Sequence, residues 1–344
     1  MTAARFRHVA VLGGGAWGTA LAQLLADDSA GGGSTVTIWA RDPQTARSIR
    51  DGHAHPGALP GLALSSAVGA ESRLDRAVAG CDLLLAAVPA QSLRSVLQAV
   101  RASAVPAAVP LLICAKGLEI DTGRLLTEVA AEALPGHPAA VLSGPNFAGE
   151  IARRLPAATA IAARDPALGA ALVATFGRPW FRPYPSEDPV GVQVGGAFKN
   201  VLAIASGAVT GRALGENAQA ALLTRGIAEM ARLAMALGGA AETCMGLSGL
   251  GDALLTCTSE TSRNTRLGIA IGRGMKPAEA LAGGAAVVEG YHTARAVHAL
   301  SAARDLDLPV AAAVHAVLYR GADLDAAIAA LLARPYGPER PTGP

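Results

Sequence analysis

The chain has 344 residues, of which 51% are hydrophobic and only 3% aromatic, and its formal net charge at pH 7 is +2. This length favours two domains over one. Acidic and basic residues are interspersed without a basic stripe, and no uninterrupted apolar run approaches ~18–20 residues, so neither nucleic-acid binding nor a transmembrane helix is expected.

The first 190 residues predict alternating strands and helices. Strands are predicted at residues 8–12, 34–42, 81–89, 110–117 and 139–147, with shorter strand-like pieces in ATAIAAR and WFRPYPS. Helices are predicted from Ala16 to about Asp27, over residues 91–101, and over residues 122–134 with Thr122 as the N-cap. This alternation predicts an α/β domain with a Rossmann-like, doubly wound and mostly parallel sheet.

From about residue 190 onwards the β-rich runs disappear and helical spacing dominates. Helices are predicted at residues 195–210, 216–238, 248–257, 262–273, 277–283, 287–303, 310–320 and 323–332. The sequence therefore predicts a dinucleotide-binding Rossmann-like domain at residues 1–193 and an all-helical substrate domain at 194–334. Residues 335–344 are rich in proline and glycine and are predicted to form a disordered tail.

A glycine-rich turn joins the first predicted strand to the first predicted helix. Gly13, Gly15 and Gly18 fit GxGxxG in the order strand, turn, helix, strand that dinucleotide-binding domains use. Gly13 would allow the tight turn, Gly15 would let the backbone approach a pyrophosphate, and Gly18 would let helix and strand pack closely. The helix N-terminus would add free N–H groups. The alternative is a glycine-rich turn that binds no ligand.

The end of the second predicted strand bears on the choice of cofactor. An acidic residue there would hold the ribose 2′-hydroxyl of NAD, whereas an arginine would accommodate the 2′-phosphate of NADP. Arg41 supplies a positive charge and Asp42 a negative charge at this position, and Asp42 can instead cap the next turn. Arg41 predicts that NADPH is accepted, alone or beside NADH.

Only three lysines occur beside 26 arginines, and two of them, Lys116 and Lys199, lie in apolar segments. The pKa of a lysine shifts on desolvation, whereas arginine stays protonated, so such a lysine can exchange a proton with a bound substrate. The alternative is a stem that lies on the surface and an ammonium that reaches water. Lys116 ends a predicted strand and Lys199 lies on the first helix of the second domain, so both can face the interdomain cleft. Lys276 carries no motif and is assigned no role.

Three short polar segments stand out among the apolar helices of the second domain. A helix start that bears Arg and Asn is suited to a phosphate, because N–H groups and a guanidinium can converge on one anion. Taken singly, the residues have simpler explanations: an N-cap for Asp252, a bond back to its own helix for Thr256, and a solvated surface position for Arg263. The segments comprise Lys199-Asn200, Asp252 with Thr256 one turn later, and Ser262-Arg263-Asn264.

Cysteine and histidine spacing predicts neither disulfides nor a metal site. The four cysteines contain no CxxC pair, which is typical of reduced thiols in a cytoplasmic protein. The seven histidines form no HxxxH or HExxH spacing, so no metal-ligating residue is predicted.

Seven motifs resemble, in the same order, those of bacterial-type NAD(P)-dependent glycerol-3-phosphate dehydrogenases. They are GGGAWGTALA, CAKGLE, LSGPNFAGE, GVQVGGAFKNVLAIASG, GLSGLGDALLTCTS, SRNTRLG and VVEGYHTA. The resemblance as a whole extends from about residue 8 to about 332. The resemblance implies a Rossmann-like domain joined to an all-helical domain, NAD or NADP as cofactor, and a cytoplasmic homodimer. It also implies interconversion of dihydroxyacetone phosphate and sn-glycerol 3-phosphate, which supplies phospholipid synthesis.

The resemblance further implies roles at matching positions. Lys199 corresponds to the catalytic proton donor or acceptor, Lys116 to a residue that contacts both substrate and cofactor, and Asp252 to a substrate-site residue. In the reaction, Asp252 would hold Lys199 in position and tune its pKa. With the polar segments above, the candidate substrate site comprises Lys116, Gly144, Asn146, Lys199, Asn200, Asp252, Thr256, Ser262, Arg263 and Asn264. The candidate cofactor site comprises Gly13, Gly15, Ala16, Trp17, Gly18, Arg41, Lys116, Ala148, Arg263, Val287 and Glu289.

Two positions depart from the family's pattern. Asn146 stands where Ser or Thr is common, and it keeps a hydrogen-bonding group. Ala16 stands where Ser is common, so a hydroxyl is lost near the pyrophosphate while the backbone N–H remains. The competing interpretations are a β-hydroxyacid or ketopantoate reductase, which would bind a carboxylate, and a catalytically silent dinucleotide sensor.

Overall fold

The computed structural model describes residues 5–28, 32–282 and 287–335. Ten strands lie within these residues: β1 (His8–Leu12), β2 (Thr35–Trp39), β3 (Ala54–His55), β4 (Leu59–Ala63), β5 (Val68–Glu71), β6 (Leu83–Ala86), β7 (Leu111–Ile113), β8 (Ala139–Ser143), β9 (Ala157–Ala163) and β10 (Phe181–Ser186). Eight of them form one sheet in the order β10-β9-β8-β7-β6-β1-β2-β5, and β3 with β4 forms a small antiparallel pair.

The large sheet is parallel except where β8 meets β9. Its central strands are continuous apolar runs, and all four residues of β6 are buried, because helices cover both faces. The predicted Rossmann-like, mostly parallel sheet with an all-helical second domain is therefore confirmed.

Sixteen α-helices lie within the described residues: α1 (Ala16–Leu25), α2 (Pro43–Gly52), α3 (Leu74–Ala77), α4 (Leu93–Ala102), α5 (Leu126–Ala133), α6 (Ala148–Ala152), α7 (Pro166–Phe176), α8 (Pro189–Gly211), α9 (Glu216–Ala236), α10 (Ala241–Cys244), α11 (Asp252–Cys257), α12 (Arg263–Gly272), α13 (Pro277–Ala282), α14 (Glu289–Ala303), α15 (Pro309–Tyr319) and α16 (Leu324–Leu332). A 3₁₀ turn at Ala90–Ser92 precedes α4, and a π-helical turn at Leu247–Gly251 leads into α11.

Helix α8 is the centre of the helical domain. Its most apolar window has a mean hydropathy of 1.2, which would suffice for a membrane span, but that window lies entirely inside the protein. No other helix in the described ranges is both long and apolar enough to span a bilayer, so the described residues show a core helix and no clear membrane span.

The start of α8 differs from its predicted start at residue 195. Asp188 accepts a hydrogen bond from the Gly191 N–H at 2.8 Å, and Pro189 occupies the first helical position, so the helix begins at Pro189. The division predicted between residues 193 and 194 falls inside this helix and stays a prediction. The predicted tail beyond residue 335 lies outside the described residues.

The predicted helix start at Thr122 is wrong. Residues 118–125 fold back on themselves, with Leu118 bridged to Leu125 and Gly123 at φ +68°, a left-handed conformation that interrupts a helix. The Thr122 hydroxyl donates to Glu119 at 2.6 Å instead of capping. Helix α5 begins at Leu126, where the Glu128 carboxylate accepts the Leu125 N–H at 2.8 Å.

Helices α8 and α12 cross unusually closely. Their contact is made by glycines, and an added Cβ at any of the four would overlap backbone atoms of the opposite helix: Gly207, Gly211, Gly268 and Gly272. This crossing holds the N-terminal turn of α12 against the middle of α8. It therefore places two of the polar segments singled out above, those at Lys199 and Ser262, beside each other.

Candidate active site

Two lysines from different domains share one carboxylate. Lys116 follows β7, Lys199 lies on α8, and Asp252 is the first residue of α11. The Lys116 Nζ is 2.5 Å from Asp252 Oδ2, and the Lys199 Nζ is 3.2 Å from Asp252 Oδ1. Each oxygen of a nearly fully buried carboxylate thus has its own ammonium.

Thr256 completes this cluster. Its hydroxyl donates to Asp252 Oδ1 at 3.2 Å and accepts from the Lys199 Nζ at 2.7 Å. Asp252 is not the N-cap of its helix, a position held by Gly251, and the Thr256 hydroxyl does not bond back to its own backbone. The structural alternatives for these two residues are therefore wrong.

Burial sets the acidity of Lys199. The side chain is almost entirely enclosed, and burial lowers its pKa below the usual value for lysine, because an ammonium loses its hydration. The negative charge of Asp252 opposes this effect, and the positive charge of Lys116 adds to it. An ammonium poised in this way is able to release a proton to a bound acceptor.

The loop after β8 closes one side of the cluster. The Gly144 carbonyl accepts a second hydrogen bond from the Lys116 Nζ at 2.9 Å, and the Asn146 side chain donates to the Ala158 carbonyl at 3.3 Å. Three buried polar atoms around this loop have no hydrogen-bond partner within the described residues: Ser143 Oγ, Asn146 Oδ1 and Thr159 Oγ1. A polar ligand in the cleft could satisfy such atoms.

Asn200 and Asn264 link three helices. The Asn264 amide donates to Asn200 Oδ1 at 2.9 Å, and its own oxygen accepts the Gly290 N–H at 2.9 Å. The start of α14 is thereby tied to α8 and α12.

Of the predicted anion-binding residues at the N-terminus of α12, Ser262 is buried and Arg263 is exposed. The Ser262 hydroxyl is occupied as the N-cap, accepting the Thr265 N–H at 3.2 Å. Arg263 is exposed at the first helical position. Its guanidinium is near enough to the Glu289 carboxyl for its charge to lower that pKa.

The glycine-rich turn has the geometry expected of a dinucleotide site. Gly13 has φ +122°, and an added Cβ there would lie 2.9 Å from the Ala87 carbonyl oxygen. A Cβ at Gly18 would overlap the Gly13 carbonyl, whereas the space beside Gly15 is open. Close packing at Gly13 and Gly18 and open space at Gly15 match the three roles of the motif.

Two further buried polar atoms, one on the helix after this turn and one at the start of α14, also suit a cofactor. Trp17 Nε1 and Glu289 Oε2 lack hydrogen-bond partners within the described residues. The other Glu289 oxygen accepts the Ala90 N–H at 3.1 Å and so joins the helical domain to the 3₁₀ turn before α4. Burial raises the pKa of Glu289 above its usual range. Ala16 starts α1, Ala148 starts α6, and Val287 is exposed before α14.

Asp42 is the N-cap of α2. It accepts hydrogen bonds from the Gln44 N–H at 3.1 Å, the Thr45 N–H at 2.9 Å and the Thr45 hydroxyl at 2.6 Å. These bonds occupy its carboxylate, and Arg41 stands exposed beside it. Of the two functions considered for Asp42, the structure shows the cap.

Sequence reasoning missed His55. This residue ends β3 and its Nε2 lies 2.7 Å from the Gly14 carbonyl oxygen in the glycine-rich turn. The only signal in the sequence was a histidine in the stretch between the second and third predicted strands, and this signal is too weak to place the side chain at the glycine-rich turn.

Among the described residues, no group of three His, Cys, Asp or Glu side chains is arranged to hold a metal ion. A Rossmann-like domain with an open glycine turn, a helical domain, and a buried lysine–aspartate cluster between them define a two-domain, dinucleotide-dependent oxidoreductase.

Comparison of the sequence with known protein families identifies one family within this class of oxidoreductases. The family models for the N-terminus and the C-terminus of NAD-dependent glycerol-3-phosphate dehydrogenase match residues 8–169 and 188–329. The chain therefore belongs to the NAD-dependent glycerol-3-phosphate dehydrogenase family. This membership confirms the resemblance and the predicted enzyme class, and it contradicts the alternatives of a carboxylate-binding reductase and a silent sensor.

Curated relatives and a solved structure agree with the family models. The glycerol-3-phosphate dehydrogenase [NAD(P)+] of Caulobacter vibrioides is 50% identical over 97% of this chain and 99% of its own length. That of Rhodospirillum rubrum is 50% identical over 95% of this chain and 93% of its length. The crystal structure of glycerol-3-phosphate dehydrogenase from Coxiella burnetii superposes with a TM-score of 0.90 at 36% identity, covering 95% and 99% of the two chains.

Proposed function

We propose that this enzyme interconverts dihydroxyacetone phosphate and sn-glycerol 3-phosphate with NADH or NADPH, and so supplies glycerol 3-phosphate for phospholipid synthesis. The observation that carries the proposal is the buried Lys199, hydrogen-bonded to Thr256 and paired with Asp252, in a chain of this family. Reduction of a ketone needs a group that donates a proton where negative charge builds on oxygen, and a buried ammonium meets that need.

Lys199, Lys116 and Asp252 have separate roles in the reaction. The reduced nicotinamide, when bound, supplies a hydride to the ketone carbon. Lys199 donates a proton to the ketone oxygen, and Lys116 orients the substrate and adds positive potential. Asp252 holds both ammoniums in place through separate oxygens and keeps the Lys199 pKa from falling further.

The phosphate group is assigned to the start of α12. Arg263 is exposed at the first helical position, and free N–H groups of the helix N-terminus lie beside it. This anchor is separate from Lys199, so its binding free energy can align the substrate with the cofactor. Asn264 and Asn200 hold this helix start against α8.

The cofactor is assigned to the glycine-rich turn, with Arg41 at its adenosine end. Because the Asp42 carboxylate is occupied as a helix cap, Arg41 is free to meet a 2′-phosphate. NADPH is therefore expected to support turnover. Steady-state assays with NADH and NADPH in parallel test this, and turnover with NADH but none with NADPH would remove the role of Arg41.

The central test replaces Lys199 by methionine, which keeps the stem but removes the ammonium. We expect kcat for dihydroxyacetone phosphate reduction to fall by about 10²–10⁴-fold, the range of a general acid, while circular dichroism shows a folded protein, because Asp252 keeps Lys116 as a partner. Lys276→Met is the matched control, because Lys276 is exposed on the turn before α13. Near-normal turnover of the Lys199 variant would remove it from the central role.

A cytoplasmic homodimer completes the proposal. The four cysteines are free thiols, as in a reducing compartment. Helix α16 is apolar but has no fully buried residue, which suits a surface that a second copy covers. Light scattering is expected to give twice the chain mass of 34.4 kDa, and cell fractionation to place the enzyme in the cytoplasm.

A further inference from the structure

His55 is the one side chain described as bonded to the Gly14–Gly15 peptide. Its Nε2 lies 2.7 Å from the Gly14 carbonyl oxygen. A carbonyl oxygen only accepts, so Nε2 must carry the hydrogen and donate it. His55 is half-buried, and its partner is not its own helix or strand but the turn between β1 and α1, 41 residues earlier in the chain.

The planarity of the peptide bond turns this contact into a constraint on Gly15. In a trans peptide the C=O and the following N–H point in opposite directions. With the Gly14 carbonyl held toward His55, the Gly15 N–H points to the other side. The turn is open beside Gly15, because an added Cβ would meet no atom within 4 Å, and no acceptor for the Gly15 N–H is found within the described residues.

Two further contacts hold the bonded pair. A Cβ on Gly14 would lie 2.7 Å from the Ala40 Cβ, so the turn sits tightly against the end of β2. His55 is fixed by the β3–β4 pair, in which it lies opposite the buried Leu59, and the Ser48 hydroxyl of α2 donates to the neighbouring Ala54 carbonyl at 3.0 Å. These contacts restrain both Gly14 and the His55 side chain in the positions that form the hydrogen bond.

We propose that His55 is a positioning residue for the cofactor: it holds the Gly14–Gly15 peptide so that the Gly15 N–H points at the pyrophosphate. This inference rests on the proposed cofactor site. Without the histidine bond this Gly–Gly peptide loses its one described side-chain restraint and gains rotational freedom within the packed turn, so the cofactor must order it more on binding. The donor N–H, rather than the ring or its charge, is the feature that matters.

The test separates the donor from the ring. His55→Phe keeps the ring without an N–H, and His55→Gln restores a donor the same number of bonds from Cα. His55→Phe is expected to raise the dissociation constants of NADH and NADPH, measured by their fluorescence without substrate, by roughly three- to tenfold, the effect of one hydrogen bond. His55→Gln is expected to bind nearly as wild type.

A kinetic comparison distinguishes positioning from a general loss of structure. In His55→Phe, KM for NADH should rise, whereas kcat at saturating cofactor, KM for dihydroxyacetone phosphate and the melting temperature of the free protein should stay near wild type. His53→Asn is the matched control, because this exposed histidine sits two residues earlier at φ +44°, which asparagine tolerates.

Fragments of the cofactor locate the effect. ADP-ribose, which carries the pyrophosphate, should lose affinity for His55→Phe by the same factor as NADH, and adenosine 2′-phosphate, which lacks the 5′-phosphates, should not. Equal binding of NADH to wild type and His55→Phe, an equal loss in His55→Gln, or an equal loss for adenosine 2′-phosphate would each overturn the inference. His55→Ala serves the same comparison if the Phe variant does not fold. Failure of the wild-type enzyme to bind either dinucleotide would instead contradict the proposed cofactor site.

Discussion

Asp252 has an unusual task for a buried carboxylate, because it serves two ammoniums at once. Removing one partner of a buried ionic cluster leaves the others uncompensated, and the cost is commonly ~3–5 kcal/mol. Here the remaining pair would be two lysines close enough for the charge of one to lower the pKa of the other. Asp252 therefore controls the protonation of Lys199 as well as its position.

Asp252→Asn is expected to lower the Lys199 pKa further, since the carboxylate is the main influence that raises it. Ketone reduction needs the protonated lysine, so the pH above which kcat declines should move to lower pH, and kcat at pH 8 should fall by about 10²-fold. The measurement is the pH profile of kcat with NADH. Asp325→Asn, in an exposed pair with Arg212, is the control. A profile that superposes on that of the wild type would contradict this role.

Arg263→Ala is expected to act on binding rather than on chemistry. A charge-assisted contact to a phosphate contributes about 1.5–3 kcal/mol, so KM for dihydroxyacetone phosphate should rise by roughly 10- to 100-fold with a smaller change in kcat. Arg273→Ala, an exposed arginine at the other end of α12, should leave KM unchanged. If both variants keep the wild-type KM, the phosphate binds elsewhere.

At the scale of elements, the crossing of α8 and α12 couples stability to the site. Gly268→Ala would drive a methyl group into the backbone of α8 near Ile204 and Ala208, so the free energy of unfolding should fall by about 1–3 kcal/mol. Activity should fall too, because α12 carries Arg263 and Asn264. Gly52→Ala, at the open end of α2, should be neutral or stabilising. Urea unfolding of both variants measures the difference, and an unchanged Gly268 variant would show that the crossing can relax.

The sequence predicted most of these elements because their signals are local. Most helices of the second domain lie within two residues of their predicted bounds, and the Gly13–Gly18 turn lies between β1 and α1 as predicted. Helix α8 begins six residues before its predicted start, and the short α10 was not predicted. The start of α5 was missed because the fold-back at Gly123 and the bond between Thr122 and Glu119 are set by turn geometry. Lys116 and Lys199 share Asp252 although Lys116 is 136 residues away from it, and His55 contacts Gly14. Both arrangements depend on tertiary packing, which no local sequence pattern records.

At the scale of the molecule, Glu229 makes stability depend on pH. It is buried on α9, and its two oxygens accept the Val310 and Ala311 N–H groups at the start of α15, at 2.7 and 3.1 Å. Burial raises its pKa to about 7, and the two N–H bonds only partly oppose this. Between its usual pKa and 7, the folded protein keeps a proton that the unfolded chain releases. The resulting stabilisation is therefore present at low pH and lost as pH rises through 7.

Glu229→Gln should remove this dependence, because glutamine stays neutral at every pH. The difference in unfolding free energy between wild type and variant should shift against the wild type by about 2 kcal/mol from pH 5 to pH 8. Urea unfolding at the two pH values measures it, and groups common to both proteins cancel. A constant difference would mean that the carboxylate is already ionised at pH 5.

The burial of α8 has a consequence for how the chain is made. The helices that enclose it, α9, α11, α12 and α14, all follow it in the sequence. While the ribosome synthesises them, a 23-residue segment apolar enough for a bilayer can be covered only on the side that faces β8 and β9. The nascent chain depends during that interval on chaperones or on rapid helix pairing, and any truncation soon after Gly211 would leave this segment exposed to aggregation or to the membrane surface.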